Sequence, residues 1–278
     1  MTSMRLSHAV AGLLLSIAAL AGFATEVSAA ERFITVASTT STRNSGLFDD
    51  ILPKFTKASG IKVRVIAVGT GQAIRLAERG DADVLLVHHR PSEKAFVAAG
   101  FGVERHSLMH NDFVLVGPES DPAGLLSEPD AANALARISA KPALFVSRAD
   151  DSGTHKKELS LWRHAGIDPR AASGNWYRQA GQGMGATLNM AQAMNAHTLS
   201  DRGSWLAFAN RSGLKILVEG DQRLFNPYGI ILVNSARFPH IKSADGQTLI
   251  NWLLSREGQD AINNFRIAGK QLFFGDAH

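Results

Sequence analysis

From residue 32 onward the chain repeats one unit: a short apolar run, a polar or glycine-rich break, then apolar residues at helical spacing. Residues 32–37 alternate and are β-branched, which predicts a strand. Phe48, Ile51, Leu52 and Phe55 then follow the 3.6-residue period of a helix. Residues 62–68 and 84–87 predict two further strands, each followed by a helix, over 73–79 and 92–99. Residues 111–118 read as a strand closed by a Gly117-Pro118 break, with a helix over 131–139. The apolar run 143–146 predicts a buried strand, and Leu159 and Trp162 mark one face of the helix after it. Leu188, Met190, Ala191 and Met194 carry another helix, residues 198–206 a short capped one, and 215–219 and 225–233 two strands. Helices over 247–255 and 257–265 complete the pattern. Strands that alternate with helices and are apolar on both sides predict an α/β protein with mostly parallel sheets.

Residues 1–30 differ from the rest. Arg5 precedes an almost wholly apolar run over 9–24, and Glu26-Val27-Ser28-Ala29-Ala30 supplies small residues for cleavage. This is the layout of a secretory signal peptide, cut after Ala29 or Ala30, and it predicts export by the Sec route to the periplasm. An uncleaved anchor is the alternative, but the run is short beside the ~20 residues of a spanning helix. With no cysteine in the sequence, a lipoprotein anchor, disulfides, thiolate metal sites and cysteine nucleophiles are excluded. The net charge of +4 is mild, and lysines and arginines are scattered rather than striped, so nucleic acid is not an expected partner.

Chemistry concentrates in loops between a strand and a helix. Ser147-Arg148-Ala149-Asp150-Asp151-Ser152-Gly153-Thr154-His155 combines hydroxyls, a backbone-exposing glycine and a guanidinium at a helix start, where free N–H groups favour an anion. An ordinary Asp/Ser cap beside a surface arginine would use fewer of these groups. Ser38-Thr39-Thr40-Ser41-Thr42 places five hydroxyl residues at a strand end, whereas a cap needs one. Gly69-Thr70-Gly71-Gln72 follows the second strand. It fails as a dinucleotide motif, because position 74 is isoleucine. Gly181-Gln182-Gly183-Met184-Gly185 enters another helix, as an anion contact or a flexible loop. His88 and His89 are adjacent, lack a third ligand at zinc spacing, and predict no metal-cation site. Loops of this kind sit at the carboxyl ends of strands, where α/β sheets bind ligands. The simplest arrangement is two lobes facing each other: residues 31–116 with 226–278, and residues 117–225. The chain would cross near Val116 and return near Asn226.

These stretches resemble the periplasmic tungstate-binding proteins of Tup-type ABC importers. The matching residues are Ser38 to Thr42 with Ser45-Gly46-Leu47, Val65 to Ala73, and Gly80 to His88. Met109 to Phe113, Ser147 to His155, Gly181 to Leu188 and Asp201-Arg202-Gly203 complete the set, which covers nearly all of the expected mature chain. The chain departs from the usual pattern with Ser38 for a threonine and His197 for a tyrosine, both still polar. The resemblance implies a two-lobed type II periplasmic binding protein fold, with tungstate or molybdate as ligand and no cofactor. It also implies a membrane permease as partner and a monomer in solution. The residues expected to hold the ligand are Thr39, Thr40, Ser41, Thr70, Arg148, Ser152, Gly153, Thr154 and Gly183.

Tungstate, molybdate and sulfate are dianions without a proton at neutral pH, so their site should offer donors only. Phosphate keeps a proton and needs an acceptor, and Asp150 or Asp151 could serve. The expectation is that these aspartates cap the helix or orient Arg148 instead. An exported hydrolase using Ser152 is the competing class. It lacks a Gly-x-Ser-x-Gly elbow and a histidine placed as its base, so no enzyme is expected. A ligand-sensing domain of a regulator is a third possibility, which the signal peptide argues against.

Overall fold

The computed structural model describes residues 31–141 and 143–277; the expected signal peptide lies outside them. The first stretch runs β1 (Phe33–Thr39), α1 (Thr40–Asn44), α2 (Leu47–Ser59), β2 (Lys62–Val68), α3 (Thr70–Glu78), β3 (Val84–Val87) and α4 (Arg90–Ala98). The 17-residue strand β4 (Gly102–Pro118) leads out of it. Then come α5 (Ala131–Ala140), β5 (Phe145–Ser147), α6 (Gly153–His164), β6 (Tyr177–Gln179), α7 (Met184–Ala193), β7 (Thr198–Asp201), α8 (Arg202–Ala207) and β8 (Leu214–Val218). The return strand is β9 (Phe225–Val233). It precedes α9 (Ser243–Leu254), α10 (Arg256–Asn264), β10 (Arg266–Ile267), β11 (Lys270–Gln271) and β12 (Phe274–Gly275).

The strands of the main sheet lie in the order β12-β4-β9-β3-β1-β2. β2 and β3 flank β1 in parallel, but β9 runs antiparallel to both β3 and β4. The sheet is therefore mixed rather than mostly parallel. β4 leaves the first half at one end of its sheet, and β9 comes back in at that same end, so the two must oppose each other. β4 pairs with β9 as far as Asp112 and with β7 from Phe113 onward. The Gly117-Pro118 pair does not interrupt it, because both residues are still paired with β8.

Period-two alternation explains why each half needs helices on two sides. In β3 and β9, Val84, Leu86, Ile230 and Leu232 face one core with Phe48, Ile51 and Phe55 of α2 and Leu249 and Leu253 of α9. Leu85, Val87, Ile231 and Val233 face another, with Ala73 and Ala77 of α3 and Phe96 of α4. In the second half Phe113 and Leu115 pack towards α5 and Trp162 of α6, while Val114 and Val116 pack towards α7 and Trp205 of α8. The two halves share the sheet strand β4 but keep separate cores, which leaves the strand-end loops to meet between them.

Candidate functional site

Parallel register brings three strand ends together. Thr39 lies opposite Val68, and Ala37 opposite Leu85, so Thr39 at the end of β1 and Gly69 and His88 just after β2 and β3 come at about one level on three neighbouring strands. The hydroxyl run is not an open loop. Ser38 Oγ donates to the Leu86 carbonyl (2.7 Å), and Thr39 Oγ1 accepts the Thr42 N–H (3.3 Å), which caps the short helix α1. Hydroxyls compete with the sheet for local backbone partners, and here they turn the chain. Thr39 and Ser41 are buried and Thr40 is half-buried. Thr70 opens α3 and is fully buried.

From the second half, β5 ends at Ser147 and the loop 148–152 leads into α6. Ala149 (φ 49°) and Asp151 (φ 57°) are left-handed, a conformation non-glycine residues adopt only when their surroundings hold it. Ser147 Oγ accepts the Ala149 N–H at 3.2 Å, and Asp150 Oδ1 accepts the Ser152 N–H at 3.2 Å. Asp150 Oδ2 accepts from Arg148 Nη2 at 2.5 Å and from Nε at 3.2 Å. Asp150 thus orients the guanidinium, and both its oxygens are engaged. Asp151 pairs with Lys156 and, at 3.9 Å, with Arg75 of α3. Ser152 caps α6, its Oγ accepting the His155 N–H. Arg148 is only 2 % exposed, yet its Nη1 has no hydrogen-bond partner among the described residues, and neither does the buried Thr154 Oγ1. Buried polar groups are nearly always bonded, so two orphans in one loop-helix junction mark a place built for something else.

The two sides are closed on each other. The Gly153 N–H donates to Thr70 Oγ1 at 2.9 Å. Gly153 is needed there: a Cβ on it would lie 2.7 Å from His88 Cε1 and 3.1 Å from Thr70 Oγ1. His88 is buried, and its Nδ1 lies 3.0 Å from Asn226 Oδ1 on the return strand. Burial pushes its pKa down to about 4, against the pull of Asp201 and the Asn226 hydrogen bond, so the ring is neutral at neutral pH. His89 is likewise held down to about 4 by burial and by Lys156. Arg148 is therefore the deeply buried fixed positive charge at this junction, with Lys156 and Arg75 more exposed around it.

With that geometry in place, comparison with known proteins is direct. Residues 24–257 match the family model described as a PBP superfamily domain. The chain is 48 % identical to the tungstate-binding protein TupA of Peptoclostridium acidaminophilum over 242 residues, covering 86 % of this chain and 84 % of that protein. The chain belongs to the TupA family. The structure of TupA from Desulfovibrio alaskensis G20 superposes with a TM-score of 0.78 at 46 % identity, covering 89 % of this chain and 100 % of that one. That of the tungstate ABC transporter protein from Geobacter sulfurreducens gives 0.78 at 50 %, covering 84 % and 99 %.

Within this TupA-family chain Gly183 stands apart from the other expected contacts. It is exposed at the start of α7, three residues beyond Ala180, whose N–H donates to the Ser147 carbonyl. Both departures from the family pattern are structural: Ser38 ties β1 to β3, and His197 is fully buried beside the Leu144 carbonyl. Sequence reasoning missed His88 and Asn226. Their signal was a polar residue in an otherwise apolar strand context on each side of the crossing. A separate cavity of about 610 Å³ opens near the change of partner in β4, against Arg202, Trp205, Arg211 and Phe225. Arg202 is already paired with Asp112 and Glu219, and Arg211 Nε donates to the Phe208 carbonyl, so no free guanidinium waits there.

Proposed function

We infer that this protein is the solute-binding component of an ABC importer, which captures tungstate in the periplasm and hands it to a membrane permease. The observation that carries the reading is the Arg148 junction: a buried guanidinium with one free nitrogen and, six residues on, a buried free hydroxyl, while both oxygens of Asp150 are already bonded. The arginine and the hydroxyls supply donors, which suits a fully deprotonated tetrahedral dianion. Arg148 Nη1 and Thr154 Oγ1 would bind from the second half. Thr70 and Ser152 each accept a backbone N–H and keep their own hydrogen to donate. Thr39, Thr40 and Ser41 would complete the shell from the first half, with Gly153 giving the close approach of the backbone and the N–H of Gly183 beside it. The TupA relatives are binding proteins, not enzymes, and no catalytic role is assigned to Ser152.

Ligand capture would close the two halves about the points where β4 and β9 cross, and the closed form, as a monomer, would dock on the permease. Molybdate is the second candidate, because it shares the charge and shape of tungstate. Phosphate fits less well, since Asp150 and Asp151 are spent on Arg148, Lys156 and Arg75. Calorimetry on the mature chain with tungstate, molybdate, sulfate and phosphate tests this. Tight binding of tungstate with little phosphate binding is expected. Phosphate binding without a tungstate signal would sink the reading.

A further inference from the structure

Behind the Arg148 loop sits a carboxyl that the binding scheme does not use. Glu158, on α6, is buried. Its Oε1 accepts from Tyr177 Oη at 2.7 Å and from Trp162 Nε1 at 3.3 Å, and its Oε2 accepts from Ser147 Oγ at 2.7 Å. Ser147 Oγ in turn accepts the N–H of Ala149, the left-handed residue next to Arg148. A continuous chain of bonds therefore joins the Glu158 carboxyl to the turn that aims the guanidinium.

Glu158 has three donors and no cation. The charged groups around it bond elsewhere or, like Arg178 Nε on β6 and Asp201 Oδ2, have no hydrogen-bond partner among the described residues. Asp150 holds Arg148, and Asp151 holds Lys156. Lys157, its neighbour on α6, donates to the Arg223 and Phe225 carbonyls. Arg137 of α5 pairs with Glu128, and Asp201 caps α8. His155, one turn before Glu158, accepts the Asp151 N–H at Nδ1. Burial first, and then the charge of Asp150, push Glu158 up to about 7 despite its three hydrogen bonds.

We propose that Glu158 is the positioning residue of the Arg148 loop, and that capture of a dianion beside Arg148 draws a proton onto its carboxyl. The proposal rests on the oxyanion reading above. A dianion brought close to a buried carboxyl disfavours the ionised form by simple repulsion. By linkage, an anion that promotes protonation binds more tightly when protons are plentiful. The proton comes from solvent: the protonated carboxyl donates to Ser147 Oγ or Tyr177 Oη in place of accepting from it, that hydroxyl turns its own hydrogen away, and the other two donors to Glu158 stay as they are. His155 stands near enough to take up a proton too, so it needs its own control.

The test is tungstate calorimetry in buffers of different ionisation enthalpy, from about pH 6 to about pH 8.5, where the heat difference counts protons taken up. Wild type, Glu158→Gln, His155→Gln and Ser147→Ala are compared, with circular dichroism to confirm folding. Wild type is expected to take up part of a proton near neutrality and to gain affinity as pH falls, by at most about tenfold per pH unit. Glu158→Gln should lose that uptake, and His155→Gln should keep most of it. Ser147→Ala should keep the uptake but bind several-fold more weakly, because the relay to Ala149 is cut. Unchanged uptake in Glu158→Gln overturns the proposal. Infrared titration of the ligand-free protein reads Glu158 without any anion. A protonated carboxyl band that fades near neutrality is expected, with the part due to Glu158 lost in Glu158→Gln and the part due to Glu93, also pushed up to about 7 by burial, retained; an unchanged band in Glu158→Gln also overturns the proposal. Binding of another dianion in place of tungstate overturns the choice of ligand alone, and the proton count is then read with that dianion.

Discussion

The Gly153 amide donates to Thr70 Oγ1 at 2.9 Å, joining the start of α6 to the start of α3 across 83 residues. The bond ties the two halves together, and it needs a residue without a side chain, since His88 Cε1 occupies the space a Cβ would take. Gly153→Ala is therefore expected to hinder closure while leaving the ligand-free fold intact, because alanine is the better helix former. Tungstate affinity should fall by about tenfold or more, which corresponds to about 1.4 kcal/mol. Calorimetry with small-angle scattering reads both effects. A variant that closes and binds as wild type would remove this contact from the mechanism.

Arg148 supplies the buried charge of the proposed site, and its planar fork is already half-used by Asp150. Arg148→Ala should weaken tungstate binding by ~2 kcal/mol or more, about 30-fold. Arg148→Lys should not restore it, because an ammonium cannot bond Asp150 through two nitrogens and still present a third towards the ligand. Equal affinity in the lysine variant would show that charge alone matters.

Away from the site, Arg105 Nε donates to Glu93 Oε2 at 2.6 Å, with Glu93 fully buried on the inner face of α4. Removing one member leaves the other charge stranded. Glu93→Ala should destabilise the protein by ~3–5 kcal/mol in chemical denaturation, with little change in ligand affinity beyond that.

Stability should depend on pH through opposing groups. Glu158 is held up to about 7, above the ordinary value of 4.5, so the folded chain binds more protons than the unfolded one between those values. That contribution is present at low pH and is lost as pH rises through about 7. His88 and His89, held down to about 4 from 6.5, act oppositely: the unfolded chain binds more protons, so stability falls as pH drops from 6.5 towards 4. Glu93 is also pushed up to about 7 by burial, so Glu158→Gln removes only its own share of the first effect and leaves the second. Its melting temperature relative to wild type should be highest near pH 8 and should decline as pH falls to 4.5. A difference independent of pH would show that Glu158 does not titrate in this range.

Much of the site was legible because its chemistry is local. Arg148, Ser152 and Thr154 are neighbours in sequence, and a strand followed by a helix already places their loop at a sheet edge. The folding of Thr40–Asn44 into a helix was less visible, since Thr39 caps it through a side-chain bond that a run of similar hydroxyls does not single out. The role of Asp150 was an expectation that the geometry bears out in its orienting of Arg148. His88, Asn226 and Glu158 were not found, because each is defined by partners distant in sequence or by burial alone.

Composition, periodicity and loop chemistry by themselves determined the α/β class, the strand-end position of the anion-seeking loops and the donor character of their side chains. These follow from short-range rules: alternation along a strand, the period of a helix, the free N–H groups at its start. Only the tertiary structure decided that β9 runs against its neighbours, that Gly153 meets Thr70, and that a buried carboxyl stands behind the arginine. Those depend on where the chain goes after it crosses between the two halves, and on which groups are removed from water when the halves close. Both are sums over residues far apart in sequence, which no local pattern encodes.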